Sequence, residues 1–268
     1  MKQLIKKLLL RSGVYEYFKY SKVFYIYERV FKPHVRRQFE REYNFYNSFL
    51  KPCDLIFDIG AYDGHKTDVF LHFTEKVVSC EPDPKNYKTL QIRFRNHKKS
   101  VFPENVALGA EVGIQKMFIH HHGSAFNTLN EKFKSVLEAD NMQKWNEKIY
   151  FQQKHTVNVT TLNELIKKYG RPYFIKIDVE GYEREVLKGI SHKIPFISFE
   201  CLLPDFAEEL RESMNLLWKL DRDVHFNIAA HEELLLPEFI SFDDMREYLA
   251  TFNGNHFELI IKMNSNAD

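Results

Sequence analysis

The sequence is short of several things, and each shortage closes a route. It has three cysteines, Cys53, Cys80 and Cys201, far apart and without a C-x-x-C pair. That argues against a zinc cage and a disulfide framework, and a reducing compartment is the simplest setting. Ten glycines and nine prolines in 268 residues exclude a collagen-like or low-complexity chain. No apolar run approaches the roughly 18–20 residues that a membrane-spanning helix needs. The opening MKQLIKKLLLRSG has a basic flank, but its apolar stretch is too short and broken for a secretory signal. An excess of one charge is also missing, with 38 Lys+Arg against 37 Asp+Glu. The resulting net charge of +1 argues against a whole-molecule nucleic-acid binder.

What remains is ordinary globular material. Hydrophobic residues make up 44% and charged residues 28%, and the length suits one large domain or two small ones. Phe and Tyr are abundant, at 24 and 14. The charge is unevenly spread. Residues 1–50 hold eleven Lys/Arg and four Asp/Glu, a net of +7, so the other 218 residues carry −6. A basic arm is joined to a mildly acidic body.

The arm reads as helical. Leu4, Leu8 and Leu9 share a face ringed by Lys2, Lys6, Lys7 and Arg11, and Tyr15, Phe18, Val23, Phe24, Tyr27 and Phe31 follow as aromatic and apolar anchors. Such a helix suits an anionic membrane surface; packing on the body or on a second subunit is the commoner use of an amphipathic stripe. Lys51-Pro52 marks its boundary.

Beyond it, apolar strands alternate with helical segments. Strands are expected at 55–60, 76–81, 101–108, 173–178 and 195–201, with a final pair at 224–230 and 256–263. Helices are expected at 67–73, 84–96, 182–188 and 205–219. The last carries Phe206, Leu210, Met214 and Leu217 at helical spacing. This alternation implies a doubly wound, mostly parallel sheet covered on both faces. Residues 110–160 interrupt the rhythm with extra strands at 114–120 and 153–161 and a polar, helix-prone stretch at 130–148. An insertion of this kind often builds the substrate side of a pocket. The expected layout is an extension at 1–50, a body at 51–263 and a tail at 264–268.

The strongest local signal is DIGAYDGHKT (58–67), a strand running into a glycine turn and a helix. In a doubly wound fold this is the ligand crevice. Two nucleotide fingerprints fail there. Counting from Gly60, a dinucleotide loop needs glycine at Tyr62 and His65, and a Walker A loop needs glycine at His65. The turn instead follows an acid, Asp58, and a second acid, Glu81, ends the next strand 23 residues on. Two acids and no phosphate loop suit a cationic ligand such as S-adenosylmethionine. Asp58 is placed to pair with its amino group and Glu81 to accept from the ribose hydroxyls. For Asp58 alone, a helix N-cap would be the ordinary role.

At this point the sequence resembles the FkbM-type S-adenosylmethionine-dependent methyltransferases. The landmarks run in order: DIGAYDGHKT (58–67), EPDP (81–84), NVALG (105–109), VTTLNEL (159–165), FIKIDVEGYEREVLKG (174–189) and ISFE (197–200). The resemblance covers about residues 54–203, more weakly to 263, and leaves the arm outside. Tyr62 stands where many members carry Asn. The resemblance implies a Rossmann-like class I methyltransferase fold and O-methylation of a sugar, polyketide or similar acceptor. The cofactor set drawn from these motifs is Asp58, Gly60, Tyr62, Gly64, Thr67, Glu81, Asn105 and Asp178.

Lys176, Asp178 and Glu180 alternate along the I-K-I-D-V-E-G strand and are the catalytic candidates. Asp178 or Glu180 is a candidate base, or a candidate ligand of a divalent cation that acidifies the hydroxyl. The structural alternative has Asp178 ordering the cofactor loop and Glu180 capping the helix. His65 and the run His120–His122 are weaker base or metal candidates, since adjacent strand residues face opposite ways. Glu200 is expected to face the cleft. A small-molecule or glycan acceptor is expected, in the cytoplasm, with the arm as a contact to the inner membrane face or to a second copy. The competing function is a non-catalytic Rossmann-like module recruited through the arm; a nucleotide-dependent oxidoreductase is remote.

Overall fold

Short apolar segments pair edge to edge at the centre of the chain. The computed structural model describes residues 15–139 and 148–264. The Leu4–Leu8–Leu9 face, part of the polar stretch at 130–148 and most of the tail fall outside the described residues.

Helices α1 (Tyr15–Lys19), α2 (Lys22–Phe31) and α3 (Pro33–Asn47) come first. They lead into β1 (Ile56–Ile59), α4 (His65–Phe70), β2 (Val77–Cys80), α5 (Pro84–Arg93) and β3 (Val101–Glu104). β4 (Ala107–Leu108) comes next, and the insertion supplies β5 (Gly113–Ile119), α6 (Glu131–Ala139) and β6 (Gln153–Thr160). Then follow α7 (Leu162–Tyr169), β7 (Phe174–Ile177), α8 (Glu183–Lys188), β8 (Phe196–Leu202) and α9 (Ala207–Leu220). The chain closes with β9 (His225–Ala230), β10 (Glu233–Leu234), β11 (Ile240–Ser241), α10 (Phe242–Thr251) and β12 (His256–Lys262).

The main sheet runs β10-β9-β12-β8-β7-β1-β2-β3, with β11 pairing β9. β3, β2, β1, β7 and β8 are parallel, and β12 is antiparallel to both neighbours. This is the predicted Rossmann-like α/β layout. Its strands are buried on both faces, which is why they read as unbroken apolar runs. Phe57, Ile59, Ile175 and Ile177 pack with Leu162, Val186, Leu210 and Leu217 from α7, α8 and α9. Ile56, Phe174 and Phe196 pack on the other face with Tyr46, Phe49 and Phe70.

Three expectations change. Residues 101–108 are not one strand: β3 stays in the main sheet, while β4 leaves it to pair with β6 in a second sheet, β4-β6-β5. The boundary at Lys51-Pro52 does not separate an arm from a body, because α3 and the turn after it bury Phe45, Tyr46, Phe49 and Leu50 on the sheet. α7 and α10 were not anticipated, although each begins with an N-cap hydroxyl. Thr161 accepts from Glu164 N, and Ser241 accepts from Asp244 N.

Candidate active site

The C-terminal ends of β1, β2 and β7 open on a cleft that the insertion helps to line. Ile59, Gly60 and Tyr62 come from the glycine turn, Glu81 from the end of β2, and Asp178, Val179 and Glu180 from the loop after β7. Val106, Leu108, Met117 and Leu129 form an apolar wall. Among the described residues lining the cleft there are three carboxylates and no Lys, Arg or His.

The glycine turn and the β7 loop touch each other. Gly60 has φ +84°, and a Cβ there would stand 1.7 Å from the Asp178 carbonyl oxygen. Only glycine permits that backbone approach. Gly64, at φ +82°, would drive a Cβ into Leu90 and Phe94, so its role is to seat α4 against α5. Four described residues with side chains also adopt positive φ; His231 and Glu232 lie in the turn between β9 and β10, and the other two are Tyr62 at 50° and Glu180 at 55°. Both line the cleft. Strained backbone of this kind clusters where a site is held in shape by its surroundings.

Those surroundings are visible. Glu81 accepts from Tyr62 N at 2.9 Å and from Asp83 N at 2.8 Å, so the acid shapes the turn on both sides. Burial pushes its carboxyl up to about 8, against the pull of those two N–H groups. Glu183 accepts from Val179 N and Gly181 N, both at 3.2 Å, and burial likewise takes it to about 8. Thr128 donates to the Glu180 carbonyl at 2.7 Å, and Asn130 donates to that of Gly181. The insertion thus holds the loop after β7 from above.

The charged groups below that loop form a second cluster. Lys176 is buried, with Nζ 3.3 Å from Asp178 and 3.6 Å from Glu258. Burial works to lower its pKa, but the two carboxylates outweigh burial and hold it well above the ordinary lysine value. Asp178, Glu180 and Glu200 each bring one carboxylate oxygen within 4.8 Å of the others. Burial, then repulsion from Glu200, Asp178 and Glu183, pushes Glu180 well above the carboxylate range. His256 Nε2 sits 2.5 Å from Glu200, and that contact raises the imidazole pKa.

Residues 58–257 match the Methyltransferase FkbM domain. The chain belongs to the FkbM methyltransferase family. It is an S-adenosylmethionine-dependent methyltransferase, and the family bears out this reading over a non-catalytic module. No curated protein sequence matches it. Among solved structures, precorrin 8W decarboxylase from Methanobacterium thermoautotrophicum is 14% identical, covering 80% of this chain and 84% of that one, at a TM-score of 0.40. Precorrin-6y C5,15-methyltransferase from Geobacter metallireducens is 9% identical over 86% and 87%, also at 0.40. SMU.1697c from Streptococcus mutans, in complex with SAH, is 10% identical over 83% and 96%, at 0.38.

The cleft of this FkbM protein fits S-adenosylmethionine by its donor set. Three carboxylates and no cation favour a positively charged ligand without phosphate, and the apolar wall offers a slot for a flat base. Not every predicted cofactor residue lines the cleft. Gly60, Tyr62, Glu81 and Asp178 do; Asp58, Gly64, Thr67 and Asn105 do not. Asp58 is 1% exposed and accepts from Thr67 Oγ1 at 2.5 Å, and Thr67 also meets Ser79 Oγ at 2.9 Å. Burial takes the Asp58 carboxyl up to about 6. Its observed partners lie in the floor beneath the turn, and it is not the N-cap of α4, where Gly64 stands. Asn105 donates to the carbonyls of Glu81 at 2.9 Å and Pro82 at 3.1 Å, fixing the loop after β2.

Of the catalytic candidates, Asp178 and Glu180 reach the cleft and Lys176 lies below it. Glu180 is not a helix cap; Glu183 holds the N–H groups of its loop. None of the candidate histidines lines the cleft. His65 faces Glu42 at 2.9 Å, His120 contacts the Tyr150 carbonyl at 2.9 Å and His122 contacts Asp83 at 3.2 Å. Sequence reasoning missed Thr128, Asn130, Glu183 and His256. For Glu183 a signal existed, since an acid two residues after a positive-φ glycine is placed to receive the loop's N–H groups.

Proposed function

We propose that the chain transfers the methyl group of S-adenosylmethionine to a hydroxyl of a glycan, glycolipid or natural-product acceptor, with Glu180 as the base. The observation that carries this is the convergence of Asp178, Glu180 and Glu200 at the edge of the cleft, Glu180 lining it beside Asp178. When bound, the cofactor supplies an electrophilic methyl carbon next to a positive sulfur. The chain's own residues do the rest. Glu180 takes the hydroxyl proton onto its carboxylate as the oxygen attacks; its raised pKa makes it a stronger acceptor for that proton. Lys176 holds Asp178 from beneath, and His256 holds Glu200. Thr128 and Asn130 fix the backbone that carries the base. Such alignment supplies up to about 7–11 kcal/mol.

Methyl-labelled cofactor offered to panels of hydroxyl-, amino- and carboxyl-bearing acceptors tests the acceptor class. Label in an ether is expected; label confined to amines or esters sinks the reading. Glu180→Gln is expected to lower kcat by about 10²–10⁴-fold. The wild-type rate should rise with pH as Glu180 ionises. A second reading uses the same three carboxylate oxygens, which also suit a divalent cation that acidifies the hydroxyl. Loss of turnover on chelation, restored by Mg²⁺, favours it; full activity in chelator leaves Glu180 as a free base.

A further inference from the structure

Large exposed apolar side chains are concentrated in one place. Of eleven among the described residues, six lie within residues 15–31: Tyr17, Phe18, Val23, Tyr27, Val30 and Phe31. The other five are scattered, which is ordinary for a protein surface. Val23, Tyr27, Val30 and Phe31 recur at helical spacing, so they form one stripe along α2. They are 69%, 36%, 63% and 69% exposed. The stripe is braced from within, with Tyr27 packing on Phe31 at 5.2 Å and on Phe24 at 5.7 Å.

The sequence around the stripe is basic. Residues 15–37 contain six Lys/Arg and two Asp/Glu. Lys32 follows the stripe directly, with its Nζ 5.2 Å from the centre of the Phe24 ring, and exposed Arg36, paired with Glu40 at 2.7 Å, comes one helical turn later. An anionic lipid surface calls for both, rings and branched chains in the acyl boundary and Lys/Arg among the headgroups. An acidic protein face, such as the body of a second copy, would also use these cations, and the light-scattering measurement below separates that case.

The arm is also fastened to the cofactor turn. Tyr20 donates to Asp63 at 3.3 Å, and Lys19 lies 3.6 Å from the same carboxylate. Arg93 bonds Asp63 and Asp68 and lies 5.1 Å from the centre of the Tyr20 ring. Asp63 follows Tyr62, which lines the cleft.

From this we infer that α1 and α2 dock the enzyme peripherally on an anionic lipid bilayer, with the exposed stripe of α2 as the inserting face. The docking face is tied to the glycine turn through Tyr20, Asp63 and Arg93, so the cleft is held close to the bilayer surface.

Co-sedimentation of the full chain with phosphatidylcholine–phosphatidylglycerol vesicles, against phosphatidylcholine alone, tests it. Binding is expected to the anionic vesicles only and to weaken with added salt. The double variant Val30→Asp/Phe31→Asp should lose at least about tenfold in affinity, and Arg36→Gln about fivefold. All three positions are exposed, and calorimetric titration with S-adenosylmethionine should give the wild-type affinity in each variant. Equal binding of wild type and the double variant overturns the proposal. So does the absence of binding to anionic vesicles. A dimer in light scattering that Val30→Asp/Phe31→Asp dissociates, without vesicle binding by either form, also overturns it and assigns the stripe to a second copy.

Discussion

The two halves of the cleft use carboxylates in opposite ways. At the β1–β2 end, Glu81 spends an oxygen on each of two backbone N–H groups, and Asp58 accepts from Thr67. At the β7–β8 end, Asp178, Glu180 and Glu200 crowd one another, with Lys176 and the His256 ring beside them. The first half is satisfied and stiff, as a site that grips a ligand must be. The second is poorly compensated, and groups left in that state are the ones able to exchange protons. Fold and chemistry meet where the halves touch, at Gly60 and the Asp178 carbonyl.

The sharpest way to break the comparison is to separate the halves. Gly60→Ala forces a Cβ onto backbone at a positive φ, and a destabilisation above about 4 kcal/mol is expected in denaturant melts. A stable Gly60→Ala variant that binds cofactor normally would show that the halves are independent. Lys176→Met comes next, because it leaves Asp178 and Glu258 without their cation. Removing one partner of a buried pair costs about 3–5 kcal/mol. The lower end is expected, since Asp178 keeps a third of its side chain exposed.

Glu81→Gln should be milder and should act on the gripping half alone. Cofactor affinity measured by calorimetry should fall by about 10–100-fold, as expected for losing a hydrogen bond to a charged group. The same variant has a pH signature. A buried carboxyl raised to about 8 is more readily protonated folded than unfolded, so its contribution is present below the ordinary carboxylate pKa. That contribution is lost as pH rises through the folded value. The ligand-free melting temperature should therefore fall between about pH 5 and 8, and Glu81→Gln should flatten the fall.

The gripping half was the more legible in the sequence. An apolar run ending in an acid and a glycine announces a parallel strand and its turn, and Glu81 sits at a readable strand end. Asp58 shows the limit: its position was right, but Thr67 and Ser79 draw its side chain into the floor. The reacting half was legible only along its own strand. Asp178 and Glu180 could be named from I-D-V-E-G. The groups that shape them come from distant segments, Thr128 and Asn130 from the insertion and His256 from β12. No spacing rule links positions 51 or 52 residues apart. The split of residues 101–108 has the same cause, since β4 leaves the main sheet for a partner, β6, some fifty residues later.

The close approach at Gly60 also bears on how the enzyme can be diversified. The glycine turn and the loop that carries Glu180 are in backbone contact, so neither can be redrawn alone. The insertion meets that loop chiefly through side chains, Thr128 and Asn130, and its own small sheet carries much of its structure. A library aimed at new acceptors should therefore randomise the cleft-facing positions between 106 and 129 and leave residues 58–64 and 176–183 untouched.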